Sequence, residues 1–299
     1  MHDYLNNHLA LRPKDRVNAG PDPIPVFYHY TSFQGLSGIV KDRELWATNI
    51  HYLNDYSEFR NAVQDVDTII RNRLPDAGPA HAAIYRKILD HLERSSEISI
   101  YVSSFSEDED LLSQWRGYAG GSGVSIGFSF ADIRELAERS DFLVIKCIYD
   151  AETKHNILIQ ILNQITQIWA PRLSSDPDLD EQAAINFRNI FLRYAPAFKN
   201  GSFREEAEWR LVSPPVACNH ESIAFRHTST MLVPYYRFKL DALGKKGLRG
   251  SDDLCIRTIT VGPNNNRDLA KSSISMLLCR YNIHWSNLSA CTTPYRGSL

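Results

Sequence analysis

The sequence predicts an α+β fold: a single domain with a mixed, twisted sheet and a helical insertion. Three observations lead there. Short aromatic or β-branched runs, typical of strands, occupy both ends of the chain, and long stretches of helical periodicity lie between them. No internal repeat, low-complexity run or interdomain linker divides the 299 residues. Strands flanking one block of helices favour a single α+β unit over alternating layers. On this division residues 1–24 are a loose lead-in, 25–299 the domain, and about 151–200 the insertion.

The lead-in closes in the breaker cluster Ala19-Gly20-Pro21-Asp22-Pro23. Val26 to Thr31 then reads as the first strand. Ser32 is a competent N-cap for a short helix carrying Phe33, Leu36, Ile39 and Val40 on one face. Glu44 to Thr48 makes a second strand, and Asn54-Asp55 opens a turn into a helix beginning near Ser57. Helix is expected from Glu58 to Leu92 in two pieces broken between Pro75 and Pro79. Ile98 to Phe105 is a buried strand, and the acidic run Glu107 to Asp110 favours a helix start at Leu111. Gly117 to Gly123 must turn or lie against other backbone.

Val124 to Phe130, Phe142 to Tyr149, Trp209 to Val212, Ile223 to Arg226, Val233 to Leu240 and Cys255 to Val261 supply further strands. Helices are expected at Ala131 to Arg139 and Leu269 to Tyr281. Two longer ones carry core stripes, Ile157, Ile161, Ile165 and Ile168 in the first and Phe187, Ile190, Phe191 and Tyr194 in the second, separated by the loop Ser174 to Pro177.

Composition limits the function. A hydrophobic content of 43% with 23% charged residues is ordinary for a globular protein. A net charge of -2 supplies no global basic field, so nucleic-acid binding would need a local patch. The N-terminus lacks a signal-peptide pattern and no stretch is long and apolar enough to span a bilayer. Cys147, Cys218, Cys255, Cys279 and Cys291 are far apart and form no C-x-x-C pair, which favours reduced thiols and a cytoplasmic location.

Three constellations carry candidate chemistry. His29 and Thr31, two residues apart at a strand end, can face one side and hold a ribose by hydrogen bonds, or can be satisfied strand-end polar residues. Glu206 and Glu208, ahead of Trp209 and Arg210, can raise one another's pKa or stabilise cationic charge, or can form a solvated turn paired with Arg204 or Arg210. Ser104, Ser106, Gln114, Trp115 and Tyr118 suit a flat aromatic ligand, with Trp115 and Tyr118 sharing a helix face, or can cap the core. His29, His51, Asp55 and Glu58 match no standard metal-ligand spacing.

These stretches, together with Leu45-Trp46-Ala47-Thr48, Leu53-Asn54-Asp55, Gly123 to Phe128 and Pro294-Tyr295-Arg296, resemble the mostly bacterial family known as domain of unknown function 2971, from about residue 26 to 296. The order of aromatic-His-x-Thr strand, helix, strand and late Glu is also similar to ADP-ribosyltransferases of the histidine-tyrosine-glutamate class. That resemblance implies an ADP-ribosyltransferase-like sheet and NAD as co-substrate. It makes His29 and Thr31 the clamp on the adenosine ribose and Tyr118 the ring stacked on nicotinamide. Glu208 or Glu206 becomes the carboxylate that steadies an oxocarbenium-like transition state, with Tyr30, Ser104, Trp115 and Arg210 as further NAD contacts. It implies no metal, an acceptor that is a protein or nucleic acid, and a role as a bacterial toxin, effector or phage-defence component. Two alternatives remain open: a metal-assisted nuclease or hydrolase built from His29, Asp55, Glu206 and Glu208, and a nucleotide-binding module without chemistry.

Overall fold

The computed structural model describes residues 24–53, 56–93, 99–119, 122–173, 176 and 178–292. The lead-in through Pro23, the Asn54-Asp55 turn, the C-terminal Pro294-Tyr295-Arg296, and Ile98, Gly120, Gly121, Ser174, Ser175 and Pro177 lie outside them.

Among the described residues ten strands form one mixed sheet. They are β1 Val26–Thr31, β2 Glu44–Asn49, β3 Tyr101–Ser106, β4 Val124–Ser129, β5 Leu143–Lys146, β6 Glu208–Val212, β7 Ile223–His227, β8 Leu232–Lys239, β9 Ile256–Val261 and β10 Asn287–Ala290. The main path runs β10-β9-β4-β1-β3-β2-β8-β7, and β6 pairs with both β3 and β5. All pairs are antiparallel except β9 with β10.

Strand β3 sets the geometry. One edge pairs with β6 throughout, from Val102 opposite Val212 to Ser106 opposite Glu208. The other edge is divided: Tyr101 and Val102 face β2, and Ser106 faces Tyr28 of β1. Between these ends, Ser103, Ser104 and Phe105 are paired with neither β1 nor β2, so the sheet opens into a wedge. Strands β1 and β2 run parallel to each other, since both are antiparallel to β3. They are joined by helix α1, Phe33–Asp42, which buries Leu36, Ile39 and Val40. Ser32 caps α1 as its position predicted, its Oγ accepting from Gly35 N–H at 3.1 Å.

Helices α2 Tyr56–Arg73, α3 Pro79–Glu93, α4 Leu112–Gly117, α5 Phe130–Arg139, α6 Ala151–Leu173, α7 Leu179–Tyr194 and α8 Arg267–Arg280 complete the fold. Side-chain alternation along the central strands sorts them into two layers. Val102 and Val212 pack with α2, α3, α6 and α7, whereas Tyr101, Phe105, Trp209 and Leu211 pack with α1, α5 and α8. The insertion expected over 151–200 is therefore half of a larger helical layer. Its core stripe at Ile157, Ile161 and Ile165 closes on Ile84, Ile88 and Phe59 from 56–93, because neither helical pair can bury its apolar face alone. Two strands are shorter than expected, β3 beginning at Tyr101 and β5 ending at Lys146, and β10 was not anticipated at all. Among the described residues no helix is long and apolar enough to cross a membrane.

Glycine placement gives a direct test of the packing at the wedge. A Cβ on Gly123 would run into the Thr31 carbonyl oxygen and Ala119, whereas one on Gly38, inside α1, would meet nothing within 4 Å. Gly123→Ala should destabilise the protein by about 1–3 kcal/mol through backbone displacement. Gly38→Ala should stabilise it by about 0.5–1 kcal/mol. Urea midpoints check both, and equal effects would contradict the close approach at Gly123.

Candidate functional site

The wedge between β1 and β2 is a cleft of about 720 Å³. Its floor is the unpaired part of β3, where Ser103 Oγ is buried without a hydrogen-bond partner. On the β1 wall, His29 Nδ1 lies 2.9 Å from the Ser104 carbonyl oxygen. A carbonyl can only accept, so Nδ1 carries the proton and the neutral ring has Nε2 as its acceptor. Burial pushes the His29 pKa down, opposed by the Ser104 bond, which keeps the ring neutral near pH 7. A neutral imidazole acceptor suits a hydroxyl donor. Thr31, one turn of the pleat further on, also lines the cleft.

Tyr30 lines the same wall but works as a strut. Its hydroxyl donates to the Asp108 carbonyl at 2.8 Å and accepts from Leu111 N–H at 2.9 Å, which fixes the approach to α4. Burial raises its pKa. Helix α4 then delivers Gln114 and Tyr118 to the cleft.

Trp115 goes elsewhere. It is fully buried, edge-on to Tyr30 at 4.7 Å, with its indole N–H donating to Asp110 Oδ1 at 2.8 Å. Trp115 and Tyr118 do not share a helix face, because α4 ends at Gly117 and Tyr118 leaves it at φ -122°, 44% exposed. Ser104 lies on the cleft floor, while Ser106 Oγ donates to the Glu206 carbonyl, away from it.

The acidic pair forms neither a solvated turn nor an exposed acid. Glu206 ends a 3-10 turn, Gly201–Glu206, and Ala207 is left-handed at φ 41°, so the two carboxylates are not strand neighbours at i and i+2. Both instead accept from Lys199 Nζ, and all three side chains are buried. Arg210 completes the cluster, with Nε donating to Glu208 Oε1 at 2.8 Å and Nη1 to the Pro196 carbonyl at 2.5 Å. Burial would raise the Glu208 pKa, but Arg210 and Lys199 hold it down to about 2. The two like charges therefore do not leave Glu208 as a proton donor: the cations between and beside them decide its state. Burial works against the charge on Lys199, yet Glu208 and Glu206 hold its pKa above the usual range.

His29, Tyr30, Thr31, Ser104, Tyr118 and Arg210 thus meet in one cleft; Trp115, Glu206 and Glu208 do not line it. Glu208 lies directly behind Arg210. Sequence reasoning missed Trp46, Thr48 and Arg226 as lining residues. The alternation Leu45-Trp46-Ala47-Thr48 could have found two of them, since Leu45 and Ala47 are core and Trp46 and Thr48 share the other face. Nothing local marks Arg226, which the β7–β8 register brings in. Lys199 was likewise unmarked.

Of the four-residue metal set, His29 is bonded to Ser104 and both glutamates to Lys199, and Asp55 lies outside the described residues. Among the described residues no three His, Cys, Asp or Glu side chains are grouped to hold a metal ion.

Residues 114–211 match a family model described as protein of unknown function (DUF2971). That span holds Gln114, Trp115, Tyr118, Gly123 to Phe128 and Glu206 to Arg210; the His29 strand and Leu45 to Thr48 lie before it. No curated protein and no solved structure matches the chain.

The ion cluster makes a pH prediction. Glu208 has a folded pKa of about 2 against 4.5 for the ordinary group, so its stabilising contribution is complete above 4.5 and is lost as pH falls towards 2. Glu208→Gln leaves Arg210 without its counter-charge and should cost about 3–5 kcal/mol at pH 7. It should also flatten the acid limb of the stability profile between those two pH values. An unaltered acid limb in urea titrations would show that Glu208 is not the group responsible.

Proposed function

We propose that this protein binds NAD in the split-sheet cleft and transfers its ADP-ribosyl group to an acceptor macromolecule, a protein or a nucleic acid. The observation that carries this reading is the character of the lining. Trp46, Tyr52 and Tyr118 are exposed aromatic rings on the cleft, Arg226 gives it positive charge, and no Asp or Glu is among the described residues that line it. Rings stack on bases or nicotinamide, guanidinium groups attract phosphates, and hydroxyls with a neutral His29 suit ribose.

The reaction breaks the bond between nicotinamide and the ribose anomeric carbon. Nicotinamide leaves with the bonding electron pair, and an acceptor nucleophile forms the new bond to carbon and loses its proton. Positive charge develops on the ribose, so a fixed carboxylate there favours the transition state over the substrate. Glu208, bonded to the cleft-lining Arg210, is the carboxylate assigned to this role. Cys147, Cys255 and Cys291, all buried and none in a disulfide, are compatible with a cytoplasmic site of action.

A second reading has its own support. A cleft whose described lining carries no carboxylate suits a nucleotide-binding module that performs no chemistry.

Calorimetry with NAD and chromatographic detection of nicotinamide separate the two. On the transferase reading the wild type binds NAD and releases nicotinamide, and His29→Ala weakens binding about tenfold or more. Folded Glu208→Gln should keep binding while turnover disappears. Binding without nicotinamide release leaves the module, and no NAD binding removes both.

A further inference from the structure

Several of the described arginines pair with a carboxylate: Arg43 with Asp252, Arg71 with Asp67, Arg193 with Asp141, Arg210 with Glu208 and Arg257 with Asp132. Arg226 is not among them. It is half-buried on β7, lines the cleft, and among the described residues has no acidic side chain within ion-pair distance. Its side-chain bond is a long one, Nη2 to Thr48 Oγ1 at 3.3 Å. Burial pushes its pKa down, with only a partial opposing effect from Tyr235. A guanidinium held in a wall without a counter-charge is a standing electrostatic cost that a bound anion relieves.

The register explains how it gets there. Thr48 of β2 lies opposite Tyr235 of β8, which lies opposite Ala224 of β7. Arg226, two residues beyond Ala224, projects from the same face and reaches diagonally back to Thr48. Trp46, 36% exposed and stacked on Tyr235 at 4.3 Å, stands on that face as well. An aromatic platform, a hydroxyl and a guanidinium without a carboxylate partner among the described residues therefore share one wall. Arg210 cannot play this part, since Glu208 and the Pro196 carbonyl already engage its guanidinium and it is 3% exposed.

We infer that Arg226, assisted by the Thr48 hydroxyl, is the phosphate anchor of the cleft, so that its ligand is a phosphorylated nucleotide and the phosphate lies on the β2–β8–β7 wall opposite His29. This deepens the nucleotide reading proposed above and rests on it for the identity of the remainder of the ligand. A planar guanidinium with unengaged N–H groups holds phosphate oxygens in pairs, which a hydroxyl or histidine cannot do.

Calorimetry of the full chain with ADP-ribose, adenosine and inorganic pyrophosphate tests it, using the wild type, Arg226→Gln and Arg226→Lys, each shown to melt like the wild type. The wild type should bind ADP-ribose far more tightly than adenosine. Arg226→Gln should weaken ADP-ribose and pyrophosphate on the order of 100-fold and leave adenosine unchanged, with Arg226→Lys in between. If Arg226→Gln retains the preference for ADP-ribose over adenosine, the anchor is elsewhere and this inference falls while nucleotide binding stands. If the wild type binds pyrophosphate in an Arg226-dependent way but neither nucleotide nor nucleoside, the anion site stands and the nucleotide reading falls. If the wild type binds none of the three, both fall.

Discussion

A strand has two edges, and β3 gives one of them wholly to β6 while dividing the other between β2 and β1. That division is a geometric constraint with chemical consequences. Three residues in the middle of β3 lose one of their neighbours, and the backbone and side chains there must find other partners or face a ligand. The Ser104 carbonyl takes its partner from the His29 ring, and the Ser103 hydroxyl is left without one. The strands that would have closed the gap become the walls of a cleft. Helix α1, capped by Ser32, spans β1 and β2 and fixes how far apart they stand.

The second organising feature is the buried cluster of Lys199, Glu206, Glu208 and Arg210. Two carboxylates and two cations compensate one another almost wholly out of water, and the cluster ties the end of the helical layer to the start of β6. Such a group contributes specificity of position more than net stability, because desolvation consumes much of the attraction. Its effect at the cleft is to hold Arg210 in a fixed pose while cancelling its charge. The uncancelled positive charge then falls to Arg226 on the opposite wall. The same lining residue type thus does two different jobs, and only the partners distinguish them.

How much of this the sequence discloses follows from how local each signal is. Val26 to Thr31, the Ser32 cap, the break around Pro75 to Pro79 and the core stripes of the two long helices are written in neighbouring residues, and they appear where expected. The mixed sheet in a single α+β unit follows from their order. Strand β10, Asn287-Leu288-Ser289-Ala290, was missed because it has little β-branched or aromatic content and forms by parallel pairing with β9. The helices of about 151–200 were legible as an insertion, but their sharing a layer with those of 56–93 was not, because the two halves lie far apart in the chain and meet only through packing. At the site, His29, Thr31, Ser104, Tyr118 and Arg210 were legible as polar or aromatic residues within short motifs. The expectation that Trp115 and Tyr118 share a helix face failed because α4 stops one residue before Tyr118, and helix boundaries are the weakest part of pattern reading. The burial of the two carboxylates around Lys199 was not legible, because Lys199 carries no local mark of its partnership. Arg226 needed the register of three strands.

The reading proposed for the wedge, with its neutral histidine, aromatic rims and an Arg226 that has no carboxylate partner among the described residues, is that a phosphorylated nucleotide lies with its ribose toward β1 and its phosphate toward β2 and β7. A crystal structure grown with saturating ADP-ribose tests this most directly. The account predicts density within the wedge, with a ribose hydroxyl at hydrogen-bond distance from His29 Nε2 and a phosphate against Arg226. Ligand density outside the wedge, or an empty wedge at saturating ADP-ribose, would contradict it.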